Sequence, residues 1–478
     1  MYFLSLLYSE PVVAATNKEV PFALTGGENL TGGEKKEWAM WLAVLLLGLV
    51  PGEAQSDSPR FRGPSGAGVF PPGFPTEWTS NKNLAWKTPL PGGGWSAPIV
   101  VGDKVFVTTA VSGGDDKPKN FVEGVKDIRS MVPAMAKKPD RAYRFELHCL
   151  DRATGKPLWK AEAANAKPPH PCHPSNTFAT ETPASDGQRV FTLFHSVGVL
   201  AAFDLQGKKL WSVQTGAYKM TAGFGTGSSL AVGEGLVFVQ NDNEEKSFVA
   251  AFEGATGREV WRAKRPGKSA WATPLLWRNK VRTELVTCGG GQVTSYEPKT
   301  GKLLWSLGKV ASFTSSPAAD DERIYFGYSN PTSVGSLYAI QAGAEGDLTV
   351  QDEDNLPKGV AWIRKAAAPG MPSPVSVGGY VYVMGSTGLG CYDAKTGQPQ
   401  YKQRLPKSRT VAASLWAASD KLFILDEAGT TFVIQVGPKY ELLGTNTIDD
   451  TFWSTPAVAG KQLYLRGVNA LYCIAAKE

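Results

Sequence analysis

Asp151–Arg152–Ala153–Thr154–Gly155–Lys156–Pro157–Leu158–Trp159 decides the fold, because it returns with drift along the rest of the chain. Asp204–Leu205–Gln206–Gly207–Lys208–Lys209–Leu210–Trp211 is a copy shortened by one residue. Glu253–Trp261, Glu297–Trp305 and Asp393–Tyr401 are further copies, the last with Tyr in place of Trp. Spacing of roughly 40 to 50 residues is the range of propellers and solenoids. Within each copy a carboxylate opens a turn, Thr-Gly supplies a hydroxyl and a position for positive φ, and a β-prone run ending in an aromatic follows. The pattern predicts strand, turn, strand.

Working outward, a second element recurs ahead of each copy. Trp95–Ser96–Ala97–Pro98 opens two strands around a Gly-Asp turn, and equivalents stand at Thr182–Pro183, Ser228–Ser229, Thr273–Pro274, Ser316–Pro317, Ser373–Pro374, Ser414–Leu415 and Thr455–Pro456. Seven openings lead to ends near Trp159, Trp211, Trp261, Trp305, Trp362, Tyr401 and Leu442. The eighth stops after Ala470–Ala475 without an aromatic strand, while Asn83–Thr88 carries an orphan Trp86. Pairing that strand with the last unit would close a ring without exposed edges. The expected fold is therefore all-β: an eight-bladed propeller of four-stranded antiparallel blades over residues 83–478, with an insertion at 111–144 whose middle, Val122–Ala136, has helical character. The insertion reads as a solvated decoration or a partner-binding lid.

The composition agrees. The 478 residues include 52 glycines, 10% aromatics and a 42% hydrophobic share, enough for a core. A net charge of +6 without a basic run argues against nucleic-acid binding. Five scattered cysteines form neither a disulfide framework nor a CxxC site. Residues 1–33 read as a leader or an overcalled start, and 34–54 as a signal peptide. Lys35 and Lys36 precede an apolar run, Trp38–Val50, too short to cross a bilayer comfortably, and cleavage would follow Ala54. The mature chain would have no transmembrane segment and would be periplasmic or extracellular. Residues 55–82, rich in Pro and Gly, read as an irregular lead.

The Cys149–Trp159 and Cys391–Tyr401 patterns, with the Ser/Thr-Pro openings, resemble the PQQ-like β-propeller repeat family, named for pyrroloquinoline quinone. The resemblance covers Trp86–Glu478. It implies that Trp159, Trp211, Trp261, Trp305 and Trp362 dock on neighbouring blades. The family includes quinoprotein dehydrogenases, an outer-membrane assembly lipoprotein and many exported bacterial proteins. In its dehydrogenases PQQ lies over a calcium ion held by Glu, Asn and Asp oxygens, under a vicinal disulfide. This chain has no adjacent cysteines and no CxxCH haem motif.

Candidate chemistry falls in three places. His170–Pro171–Cys172–His173, with Asn176 and Glu181 nearby, brings together groups that could bind zinc or copper, although two further ligands are not visible and the prolines suit a surface loop equally. Trp95, Phe224, Trp271, Phe313 and Trp453 precede innermost strands, so they are expected around one channel mouth, where they could hold a flat cofactor, a sugar or a peptide, or pack between blades. Asn176, Glu181 and Asp449 or Asp450 are the candidate calcium ligands if PQQ binds. Cys149, Cys391 and Cys473 occupy equivalent strand positions and read as core. Cys288–Gly289–Gly290–Gly291 lacks the lysine and helix of a phosphate loop, and no G-x-S-x-G or HExxH is present. The expected role is an exported, monomeric, non-catalytic scaffold binding an envelope protein or a small-molecule or glycan ligand. The alternatives are a PQQ- and calcium-dependent alcohol or sugar dehydrogenase and a glycan-binding or hydrolytic propeller.

Overall fold

In blade 1, Ile99–Val101, Lys104–Val111, Tyr143–Asp151 and Pro157–Ala166 form one antiparallel meander from the axis outward. The computed structural model describes residues 57–120, 138–311, 314–330, 333–352 and 354–476. Seven further sheets repeat the meander, giving an eight-bladed propeller. Blade 8 takes its outer strand, Leu84–Pro89, from the N-terminal side, with Trp86 opposite Cys473. The leader and signal segments, Val122–Ala136 of the insertion and Phe313 lie outside the described residues. Every innermost strand begins on one face, here the upper; an antiparallel meander then puts the Thr-Gly turns on the lower face.

The repeated nonapeptide explains how blades join. The Asp151 carboxylate accepts the Thr154 N–H at 2.8 Å and its hydroxyl at 2.6 Å, fixing the turn, and Gly155 takes φ +69°. The Trp86 ring lies on that glycine and its N–H donates to Arg152 O at 3.1 Å. The arrangement recurs for Trp211 on Gly257, Trp261 on Gly301 and Trp362 on Gly397, with indole bonds to Gly254, Pro298 and Ala394 carbonyls. Only glycine satisfies both demands. Gly257→Ala forces a Cβ to φ +76° and to within 2.7 Å of the Trp211 ring. We expect a loss of about 1–3 kcal/mol in chemical denaturation, with a shift in tryptophan emission.

Two copies depart from this pattern. Trp159 lies on Gly207, but that turn is one residue short and the buried indole N–H has no partner among the described residues. Trp305 does not dock on a Thr-Gly turn, because blade 5 has none. Its N–H donates to Glu284 of its own blade at 2.8 Å, and Gly346–Asp347 pairs alongside as a parallel fifth strand.

At the axis, hydroxyls of the blade openings form a chain. Ala97 N–H donates to Thr182 Oγ1, and Thr182, Ser229, Thr273, Ser316, Ser373 and Ser414 each donate N–H to the next blade's hydroxyl, ending at Thr455, over 2.9–3.2 Å. Ala97 offers no hydroxyl. At that seam Ser454 and the buried Arg466 bond to Ser96 O instead, at 3.1 and 3.0 Å.

The Pro/Gly-rich lead is not a loose tail. Ser58 bridges Val100, Pro59 O accepts Ser185 N–H, Arg60 donates to Val232 O, and Arg62 donates to Pro317 and Pro374 carbonyls. Val69–Phe70 then pairs parallel to blade 7's innermost strand. The lead thus contacts the innermost segments of successive blades. Phe74 and Trp78 continue into the core shared by blades 7 and 8.

Candidate functional site

Four of the five aromatics expected at one channel mouth, Trp95, Phe224, Trp271 and Trp453, lie among the described residues. Trp95 and Trp453 stack on one another across the blade 8–blade 1 seam, with centroids 5.9 Å apart and an 18° interplanar angle. Trp95 is buried, and its N–H donates to Ser175 O at 2.9 Å. The Trp453 N–H donates to the Glu427 carboxylate at 3.1 Å. At blades 3 and 4, Trp271 meets Phe224 edge-on at 6.2 Å and donates to Gly225 O at 2.7 Å. Phe224 also faces His173, 5.4 Å away, and is 43% exposed. The aromatics therefore form two packed pairs, with Phe224 the open surface between blades.

The polar candidates are already engaged. The Asn176 amide donates to the carbonyls of Phe224 (2.8 Å) and Thr226 (3.1 Å), and its oxygen accepts from Thr177 N–H and the Thr180 hydroxyl. It tethers the loop before blade 2 to blade 3. Asp450 accepts from Thr451 N–H, the Asn469 amide and the Tyr472 hydroxyl, at 2.8–3.0 Å. Asp449 is exposed beside it.

Glu181 differs: it is fully buried, and among the described residues neither carboxylate oxygen has a hydrogen-bond partner. Burial pushes its pKa up to about 7. The Thr226 hydroxyl and the N–H groups of Glu181, Thr180 and His195 lie near enough to offset part of that cost without completing a bond. His195, buried nearby, is pushed down to about 4 by burial, and its Nδ1 lies 3.1 Å from the Asn241 amide. Burial, then the Glu181 carboxylate, pushes the Cys172 thiol up, which is opposite to what a metal thiolate requires.

These residues do not fit PQQ over calcium. The oxygens of Asn176 and Asp450 are spent on protein donors, and the Trp95 and Trp453 faces are stacked together. Calcium takes six to eight oxygens. Among the described residues no three His, Cys, Asp or Glu side chains gather to hold a metal. The His170–His173 cluster likewise brings no such set together; His173 Nδ1 pairs with the Ser175 hydroxyl at 2.7 Å. All five cysteines are free, and Cys149, Cys391 and Cys473 are buried at equivalent strand positions.

Sequence reading missed two features. Arg265 and Asp242 form a fully buried ion pair at 2.8 Å. Gly289 in the Cys288–Gly291 run leaves room for it, since a Cβ there would lie 2.3 Å from the Asp242 carboxylate. The other feature is the pair Arg60 and Arg62, reaching into the channel. Two arginines flanking one aromatic in a Pro/Gly lead were the available signal.

The sequence profile described as outer membrane protein assembly factor BamB matches residues 141–261 and 196–477. No curated protein matches the sequence. Among solved structures the chain is similar to BamB from Moraxella catarrhalis, at 12% identity over 82% of this chain and 98% of that one, with a TM-score of 0.54. It is also similar to a europium-containing methanol dehydrogenase, at 13% identity over 89% and 92% of the two chains, with a TM-score of 0.51. A quinohemoprotein alcohol dehydrogenase from Comamonas testosteroni gives 12% identity over 88% and 81%, with a TM-score of 0.54. At such identities the likeness is one of fold. The repeated turn, the docked tryptophans, the eight-sheet ring and the profile match together place the chain in the BamB family of PQQ-like β-propellers.

Proposed function

We propose that the protein is an exported, non-catalytic β-propeller that serves as a binding scaffold in the bacterial cell envelope, with another envelope protein as its partner. The observation that carries this reading is the state of the upper mouth. Trp95 and Trp453 are closed on each other, and the oxygens of Asn176 and Asp450 are taken by backbone and side-chain donors, so the buried Glu181 carboxylate lacks the companion oxygens that a calcium site needs. A rigid ring then presents loops on two faces, which suits recognition without reacting groups. Family membership supports the same reading. Among the described residues no helix is long and apolar enough to cross a membrane.

The dehydrogenase reading makes the opposite prediction for one experiment. Calorimetric titration of the purified chain with PQQ, with and without calcium, should give no saturable heat. Calcium-dependent binding that weakens in Glu181→Gln would overturn the scaffold reading in favour of quinoprotein chemistry. The scaffold reading further expects a defined envelope protein to be cross-linked in whole cells, and loops of the upper or lower face to carry the cross-links.

A further inference from the structure

Arg60 and Arg62 carry charge into the channel, and among the described residues no carboxylate pairs with either. Arg62 is buried and bonded only to carbonyls, those of Pro317 (3.0 Å), Ala67 (2.8 Å) and Pro374. Arg60 donates to Val232 O, and the buried Nε of each arginine has no partner. Burial, then the neighbouring Arg278, lowers the Arg60 pKa to about 10, and burial lowers that of Arg62 to about 9. Both shifts mark positive charge without compensation.

Beside Arg60 lies a small, partly open cavity between the lead and blades 3 to 5, lined by Ser65, Leu230, Thr273, Leu275 and Ser316 among others. Thr273 and Ser316 each accept a backbone N–H in the axial chain. That leaves the O–H hydrogen of each free to donate. Exposed Ser65 stands at the rim. Arg60, Ser65, Thr273 and Ser316 thus supply the polar part of the lining over an apolar floor, and no carboxylate lines it. Cations, sugars and flat aromatic cofactors find little there to match them; a compact acceptor with negative charge finds donors on several sides.

We infer that this channel cavity is a binding site for a small inorganic oxyanion, phosphate or sulfate. Such an anion would give Arg60 a charge-assisted partner and would tie the lead to blades 4 and 5. Its site is separate from the upper-face aromatics, so it stands or falls independently of the scaffold reading.

The test uses the full chain in chloride buffer at fixed ionic strength. Inorganic phosphate and sulfate should each raise the melting temperature saturably, beyond an equal ionic strength of chloride, and the phosphorus-31 resonance of phosphate should broaden on addition of protein. Arg60→Gln should weaken phosphate binding by about tenfold or more. Ser65→Ala removes one rim donor without touching the axial chain and should weaken binding by a smaller factor. It decides the matter if Arg60→Gln does not fold. Equal effects of phosphate and chloride, or undiminished phosphorus-31 broadening with Ser65→Ala and Arg60→Gln, would overturn the assignment.

Discussion

Asp242→Ala is expected to lower the unfolding free energy by about 3–5 kcal/mol, the range for leaving one partner of a buried ion pair alone. Both side chains are wholly inaccessible to solvent. Arg265 spends its donors completely: Nε on Asp242 Oδ1, Nη1 on the Thr287 and Thr294 hydroxyls at 2.7 and 2.6 Å, Nη2 on Asp242 Oδ2 and on Gly289 O at 2.9 Å. Asp242 also accepts the Gln240 amide at 2.7 Å. Burial alone would lower the Arg265 pKa, but the adjacent carboxylate outweighs it and raises the value. Without Asp242 the guanidinium keeps its charge, loses its counterion and has no route to water. Replacing both partners, as Asp242→Leu with Arg265→Met, removes the charge together with its counterion and should cost less than either single change. Denaturant midpoints of the two single variants and the double variant provide the check. An Asp242→Ala midpoint within about 1 kcal/mol of the parent would mean that the pair contributes nothing net.

The repeat was legible because everything that defines it lies within nine residues. A carboxylate, a Thr-Gly turn and a tryptophan are all visible in one line of sequence, and the turn's bonds run from Asp151 to Thr154 and Gly155. Ring closure was legible for a similar reason: the last unit lacked one strand and Asn83–Thr88 supplied an orphan one. The site was much less so. The Asp242–Arg265–Gly289 network joins residues 23 and 24 positions apart on neighbouring blades, and nothing local marks Asp242 as anything but a loop acid. The glycine run beside Cys288 was visible, but what requires glycine at 289 is a carboxylate from another blade. The lead's Pro/Gly composition predicted irregular backbone, and composition is silent on what such backbone packs against. Position within the repeat put Trp95 and Trp453 just ahead of innermost strands. That they stack on each other depends on two blades meeting at the seam, a contact between residues 358 positions apart in sequence.

Glu181 and His195 should oppose one another in the pH dependence of stability. Glu181 has a folded pKa raised from 4.5 to about 7. Between those values the folded state holds a proton that the unfolded state has lost, so this group's contribution is full below about 4.5 and falls as pH rises to 7. His195 has a folded pKa lowered from 6.5 to about 4. Over that window the unfolded state holds the extra proton, so its contribution is full above 6.5 and is lost as pH falls to 4. Each shift corresponds to about 3 kcal/mol. Their slopes have opposite signs and nearly cancel between pH 4.5 and 6.5, giving the parent a flat stretch from this pair. Cys172, the other titratable neighbour of Glu181, is pushed upward and stays neutral throughout. Glu181→Gln should expose the histidine slope, with melting temperature rising steeply from pH 4.5 to 6.5. His195→Asn should expose the opposite slope, with stability falling from pH 4.5 to 7. Calorimetric melting of the three proteins across pH 4 to 8 checks both, and parallel profiles for parent and Glu181→Gln would show that Glu181 ionises unhindered inside the ring.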